Sequence, residues 1–360
     1  MEFGLTEEQV LLQDSVGRYL ADNAGLERAR QFADGGEECA TEVCAALAEL
    51  GVSGLIIDEA YGGVGLKMLD AAIVAEQLGR NVTPVAFAAS AVMVPLALQR
   101  AGSETQKARW LPMLVAGEVS AGAAVSEAVA ARGDARVSAS GGSLSGRAMF
   151  VLDHAADVYL VADDTRHLHL VEAGAPGLTS TRLTTVDKTR HIGELRFDGV
   201  AADPLPGGDD PTVLTDVIDA GRIVLAADTL GAAQSMLDQA VAYAGQRQQF
   251  GRVIASFQAV KHMCAEMASQ LEPCRAMVWY AAHAFDAIPE ESRLTACHTK
   301  AHLAEVGKFV AKTATEVHGG MGFTDLLGLH YWFKRIGFNR QLLGGPELVR
   351  EEAARLQALV

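Results

Sequence analysis

The chain has 360 residues, 49% hydrophobic and 21% charged, enough apolar material for one large core or two or three packed units. Acidic side chains outnumber basic ones 45 to 30, and the formal charge of −15 repels a phosphate backbone, which argues against nucleic acid as a partner. No stretch approaches the ~18 apolar residues of a membrane span and MEFGLTEEQV lacks the regions of a signal peptide, so the expectation is a cytoplasmic protein with no membrane span.

From LTEEQVLLQDSVGRYL onward, apolar positions recur every three and four residues, and Thr6 followed by Glu8 and Gln9 reads as a helix start. The glycine-rich stretch 58–66 interrupts the helices as a loop, and Ser103 with Gln106 forms a second capping signature. Near residue 120 the pattern changes to short alternating segments, ARVSASGGSLSGRAMFV, ADVYLVADD, HLHLVEA and GELRFDGV, the strands of an antiparallel sheet or small barrel. PLPGGDDP closes that region as a linker, and four or five long helical patterns fill 213–360. The expected class is therefore α+β in three parts: an N-terminal helical domain (1–119), a middle antiparallel β domain (120–207) and a C-terminal helical bundle domain (208–360).

Five cysteines, Cys39, Cys44, Cys264, Cys274 and Cys297, show no CxxC spacing, so they read as reduced, mostly buried thiols rather than a disulfide framework or a zinc site. No metal site is expected. The many Ala and Gly residues, 36 of them Gly, suit close helix contacts within or between protomers.

Six segments in register carry a resemblance: LTEEQ, LAELGVSGLIIDEAYGGVGL, VAEQLGR, QKARWLPMLVAGE, YAGQRQQFGRVIASFQAVKHMCAEM and VHGGMGFTDLLGLHYWFKR. Together they resemble the acyl-CoA dehydrogenase family over nearly the whole chain. The resemblance implies that family's fold, with a four-helix bundle as its C-terminal domain, an FAD cofactor bound across a subunit interface, and α,β-desaturation of an acyl-CoA thioester. An α C–H beside a thioester is a weak acid, so such chemistry needs an oriented carboxylate base and hydrogen bonds to the carbonyl. The cofactor accepts the hydride and the protein supplies position.

By that resemblance Arg247, Phe250 and Gln258 match contacts to the FAD of a neighbouring subunit, Arg247 as a fork for the pyrophosphate. Glu316, Gly319 and Gly320 match a segment that lets a dinucleotide approach backbone, with Glu316 standing where the family more often has Gln. Around the flavin ring little of the pattern survives. Ser126 and Glu127 remain of a Thr/Ser-Glu-Pro-Gly run, with Ser126 a candidate for a ring oxygen, while Phe150 and Leu152 replace the Trp and Thr of a Trp-Ile-Thr run. Both places where the family carries its catalytic glutamate are glycine: Gly344 near the C-terminus, and Gly221 just before Arg222. Glu347 is the least unfavourable substitute; Asp219 points to the opposite helix face, and Asp228 sits ~10 Å further along the same one.

Residues that would serve a neighbour's cofactor are thus kept, and those that would work on the chain's own flavin and substrate are replaced. This is similar to the base-lacking subunits of heteromeric α2β2 acyl-CoA dehydrogenases that act on steroid side-chain CoA thioesters. The implied partner is a homologous subunit carrying the glutamate, with an acyl-CoA substrate and an acceptor resembling an electron-transfer flavoprotein. Two alternatives stay open on sequence: a self-sufficient homo-oligomeric dehydrogenase using an atypical base such as Glu347, and a scaffold or acyl-CoA-binding protein without redox activity.

Overall fold

Helix α1 (Glu7–Asn23) begins where Thr6 accepts from the Gln9 amide and the Gln9 side chain accepts from the Thr6 amide, the reciprocal cap expected from the sequence. The computed structural model describes residues 4–37, 40–130 and 133–360. Helices α2 (Leu26–Gly35), α3 (Thr41–Glu49), α4 (Met68–Arg80), α5 (Val94–Ala101) and α6 (Glu104–Val115) complete the first helical part. Ser103 and Gln106 repeat the cap at α6, and the glycine-rich loop carries a single 3₁₀ turn at Glu59–Tyr61. Before α5 the backbone widens into a π-helical turn, Phe87–Met93. Pro95 supplies a reason: it has no N–H to give and its ring crowds the carbonyl four residues back.

The middle region holds β1 (Ala121–Ala124), the one-turn α7 (Ser126–Val129), β2 (Arg136–Ser140), β3 (Ser143–Leu152), β4 (Val158–Ala162), β5 (Leu168–Glu172), β6 (Leu178–Arg182), β7 (Ile192–Ala201) and the short β8 (Asp203–Pro204). They form one eight-stranded sheet in the order β6-β7-β3-β1-β4-β5-β8, with β2 paired to β3. The sheet is antiparallel with one correction to the sequence reading: β1 runs parallel to β4, Ala121 opposite Val158 through Ala124 opposite Val161. Along β4, Val158, Leu160 and Ala162 face the large helical core while Tyr159 and Val161 face a second core inside the β region, so both faces of the strand are buried.

The segment read as a linker is largely structured. It ends β8 and then caps the next helix, Asp210 accepting from the Thr212 amide and Pro211 filling the first turn. Helix α8 (Pro211–Gln246) follows, then two short strands, β9 (Gln248–Gln249) and β10 (Arg252–Val253), and helices α9 (Gln258–Ala287), α10 (Pro289–His318), α11 (Leu329–Asn339) and α12 (Pro346–Leu356). At 36 residues α8 is about 54 Å long, and it is the axis on which α4, α9, α10 and α11 pack. Gly79 of α4 faces the Asp228 carbonyl and Gly231 of α8 faces the Glu76 carbonyl, each too close for a Cβ, which is why these two helices touch backbone to backbone.

Asp228 fastens α8 to its surroundings. Arg335 of α11 donates from Nε and Nη2 (3.0 and 2.7 Å), Asn339 donates at 2.6 Å, and Arg190 ahead of β7 pairs at 2.9 Å. Burial alone would raise the Asp228 carboxyl, but Arg190 and Arg335 outweigh it and hold it below the usual carboxylate range. Of the five cysteines, Cys39 lies outside the described residues; Cys264, Cys274 and Cys297 are free thiols, Cys274 and Cys297 buried, and Cys44 is half-buried. No described helix is long and apolar enough to cross a membrane.

Candidate active site

Helices α8 and α10 end, and α9 begins, at the same end of the bundle, where the Tyr243 ring packs on His318 with centroids 4.6 Å apart. Six of the expected nucleotide contacts meet there. Arg247 caps α8, is exposed, and forms no ion pair among the described residues. The following hairpin is closed by the Ile254 amide on the Arg247 carbonyl at 2.8 Å. Its tip holds Phe250 in a left-handed conformation (φ +54°) with the side chain 92% exposed. Gln258 opens α9 and its Nε2 lies 2.8 Å from His262 Nε2. Gly319 (φ +59°) and Gly320 end α10, and a Cβ on either would meet nothing within 4 Å. Glu316 is turned to solvent one turn earlier, 3.6 Å from Lys312, so its acid is balanced locally in place of the family's amide. A non-glycine residue held at positive φ to present an apolar ring to water is a strained arrangement that a partner molecule would justify.

Ser126 sits elsewhere, at the start of α7 above the sheet. Its hydroxyl donates to the Phe150 carbonyl at 3.1 Å, and the neighbouring Glu127 accepts from the Met149 amide at 2.7 Å. The Ser126 proton is therefore committed to backbone, and only its lone pairs remain for another ligand. Leu152 is buried in the core.

The two glycines at the base positions flank space that is already filled. A Cβ on Gly221 would stand 2.5 Å from Leu343 Cδ1 and 2.8 Å from Met93 Sδ, both side chains buried. Gly344 has φ +105°, and a Cβ there would meet Val349 Cγ2 at 2.9 Å and Val129 Cγ1 at 3.4 Å. Further along α8, beside Val224, Leu225 and Asp228, a void of about 20 Å³ remains, too small for an acyl group. Two buried cations lock the segment that fills the site. Lys300 of α10 donates to the carbonyls of Asn339 (2.8 Å), Arg340 (3.2 Å) and Gly344 (3.3 Å), and Arg222 donates to the Leu343 carbonyl (3.0 Å). Burial first, then the charges of Arg222 and Arg340, push the Lys300 ammonium down to about 7.

None of the spare carboxylates faces this spot as a free base. Glu347 lies in the first turn of α12, its side chain 74% exposed, where a hydrogen bond from its own backbone amide and then the pairing with Arg340 at 3.1 Å hold it below the usual glutamate range. Asp219 is buried under Arg222 at 3.0 Å, and burial pushes it up to about 6 against the pull of Arg222 and Arg293. Asp228 is the bound anion described above. Sequence reasoning did not single out Met93, Leu343 or Lys300. A lysine inside an otherwise apolar helical pattern was the available signal for Lys300; the other two are ordinary core residues until the fold places them.

The description "Acyl-CoA dehydrogenase, N-terminal domain" matches residues 6–118, and "Acyl-CoA dehydrogenase, C-terminal domain" matches residues 212–357. Acyl-CoA dehydrogenase IpdE2 of Mycolicibacterium smegmatis is 29% identical, the match covering 99% of this chain and 100% of that protein. Among solved structures, a Tcur3481-Tcur3483 steroid ACAD variant superposes with a TM-score of 0.89 at 29% identity over 98% of both chains. The ChsE4-ChsE5 complex from Mycobacterium tuberculosis gives 0.90 at 26% identity over 100% of both.

Proposed function

The chain belongs to the acyl-CoA dehydrogenase family, FAD-dependent oxidoreductases acting on CH–CH bonds, and from that premise we propose that it is the base-lacking subunit of a heteromeric member. In this reading it completes the FAD site of a homologous partner that carries the glutamate. The observation that carries it is the Leu343 and Met93 pair standing where a Gly221 side chain would be, while Arg247 and Phe250 stay exposed at the bundle end.

The residues present fit one part of the cofactor and not the other. An unpaired exposed guanidinium, an exposed aromatic ring and two open glycines suit a pyrophosphate and nucleotide: Arg247 would fork onto phosphate oxygens, Phe250 would cover the nucleotide, and Gly319 and Gly320 would let it lie on backbone. The ring end is not matched, since Leu152 is buried and offers no hydrogen bond and the Ser126 hydroxyl already donates to the Phe150 carbonyl. When bound in the partner, FAD supplies the hydride-accepting centre. This chain's part is to bind and orient the nucleotide end; the proton is taken by the partner's carboxylate. The names of two similar structures pair two polypeptides, and one is called a steroid ACAD, which supports a bulky steroid-type acyl-CoA as the complex's substrate. An electron-transfer flavoprotein-like protein is the corresponding acceptor.

Co-expression with a homologous dehydrogenase chain that carries the glutamate, followed by measurement of flavin per complex, tests the reading. The expected result is one FAD per two chains, with the chain alone colourless and inactive. A yellow, active homo-oligomer of this chain overturns it in favour of a self-sufficient enzyme, and a colourless complex overturns it in favour of a scaffold.

A further inference from the structure

A cavity of about 570 Å³ lies between the N-terminal helices and the sheet, lined by residues of α3, the π-helical turn, the segment after α6 and the turn between β3 and β4. None of the nucleotide contacts or base positions described above lines it, and its volume falls in the range of ligand sites, roughly 300–1,000 Å³. It is a half-open cleft, with Thr41, Ala45, Glu49, Gly117, Glu118 and Asp157 exposed at its rim. Ala48, Phe87, Ala91, Val115 and Val119 give it apolar walls.

Its polar end is Asp153. This residue follows β3 in a left-handed conformation, φ +59°, which costs a non-glycine residue energy, and its carboxyl has no hydrogen-bond partner among the described residues. Arg190, also at the cavity, is not free to serve it, because that guanidinium is taken up by Asp228 and Asn339. Asp153 keeps intermediate exposure by surface area, yet burial pushes its carboxyl up to about 7 against the attraction of Arg190 and Arg335. The enclosure is therefore strong enough to disfavour the charged form.

The remaining ionisable lining selects among ligand classes. Glu49, Glu118 and Asp157 are acidic, so the walls repel carboxylates and the phosphates of a coenzyme A chain. Arg190 and Arg335 have Asp228 and Asp187 as counter-charges, so the Asp153 end is near neutral and gives an ammonium no spare carboxylate. What fits is an uncharged apolar body with one donor for the Asp153 oxygens. We propose that the cavity binds a neutral lipid alcohol, its hydrocarbon against Phe87, Val115 and Val119 and its hydroxyl donating to Asp153. This assignment does not rest on the flavin-serving role and stands or falls separately from it.

Titration calorimetry on the full chain in its purified assembly, with 1-decanol, decanoate and decylamine as probes, tests it. The expected result is saturable binding of 1-decanol, one per chain, with decanoate and decylamine weaker by about tenfold or more, as the loss of a well-placed hydrogen bond or a charge conflict requires. Ala48→Trp, at a half-buried wall position, is expected to abolish binding. Asp153→Leu should weaken 1-decanol by about tenfold or more, while Asp153→Asn, which keeps an acceptor oxygen, stays within about threefold. Should Ala48→Trp fail to fold, Ser53→Phe fills the same cavity. Absence of saturable 1-decanol binding, equal binding of decanoate, tighter binding of decylamine, or indifference to the filling variant would each overturn the proposal.

Discussion

Gly221 and Gly344 show how far single residues decide what the surrounding packing admits. A carboxylate restored at either would have to displace packed side chains, Leu343 and Met93 in one case and Val349 and Val129 in the other. Gly344→Glu in the purified complex is therefore expected to add no dehydrogenation activity and to destabilise the chain by roughly 1–3 kcal/mol, checked by an acceptor-coupled assay and thermal unfolding. Asp153 gives a pH signature at the same scale. Its folded pKa, about 7, is raised above the unfolded one, so the stability tied to its neutral form is full below the unfolded value and is lost as pH rises through about 7. Asp153→Asn removes this dependence, and its melting temperature should gain on the unsubstituted chain between pH 5 and pH 8, by the equivalent of roughly 1–3 kcal/mol. Denaturation at the two pH values checks it, and a constant gap would count against the buried carboxyl. The glycines themselves were legible in the sequence. What fills the space beside them was not, since Met93 and Leu343 are far apart in the chain and only the packing of α8 brings both to Gly221.

At the scale of elements, legibility followed local signals. The caps at Thr6 and Ser103 are spelled out within four residues, so the starts of α1 and α6 were readable. The strands β1 and β6 were not. β1 is four small residues buried on both faces, with no alternation to see, and β6 is polar and mostly exposed, with its pairing to β7 supplied from afar. The loop leading into α12 depends likewise on distant groups, above all on Lys300. Lys300→Met keeps the volume but leaves three buried carbonyls without their donor, and a loss of about 1–3 kcal/mol is expected. Because the folded pKa of Lys300 lies below its unfolded one, stability linked to it is present above the unfolded pKa and is lost as pH falls through about 7. The deficit of the variant should therefore widen from pH 7 to pH 9, as denaturation at each pH will show.

For the whole molecule, helices on both sides of a sheet were foreseeable from the change of pattern near residue 120, because period and composition shift together there. Assembly is the larger matter at this scale. In the reading proposed above, the bundle end carrying Arg247, Phe250 and the two glycines is the surface offered to a partner chain. Replacing both Arg247 and Phe250 by alanine is expected to lower the flavin content of the co-expressed complex at least tenfold at limiting cofactor while leaving the chain's own unfolding midpoint nearly unchanged, since both side chains are exposed. Absorbance of the washed complex measures the first and calorimetry the second.

That same end bears Phe323 and Leu326, 80% and 74% exposed, close in sequence to the glycine pair. A solitary copy would thus carry a sticky, greasy tip into a crowded solution, where like tips can clump. In the proposed pairing, balanced synthesis of the two chains follows: each copy made in excess of its mate is a hazard rather than a reserve.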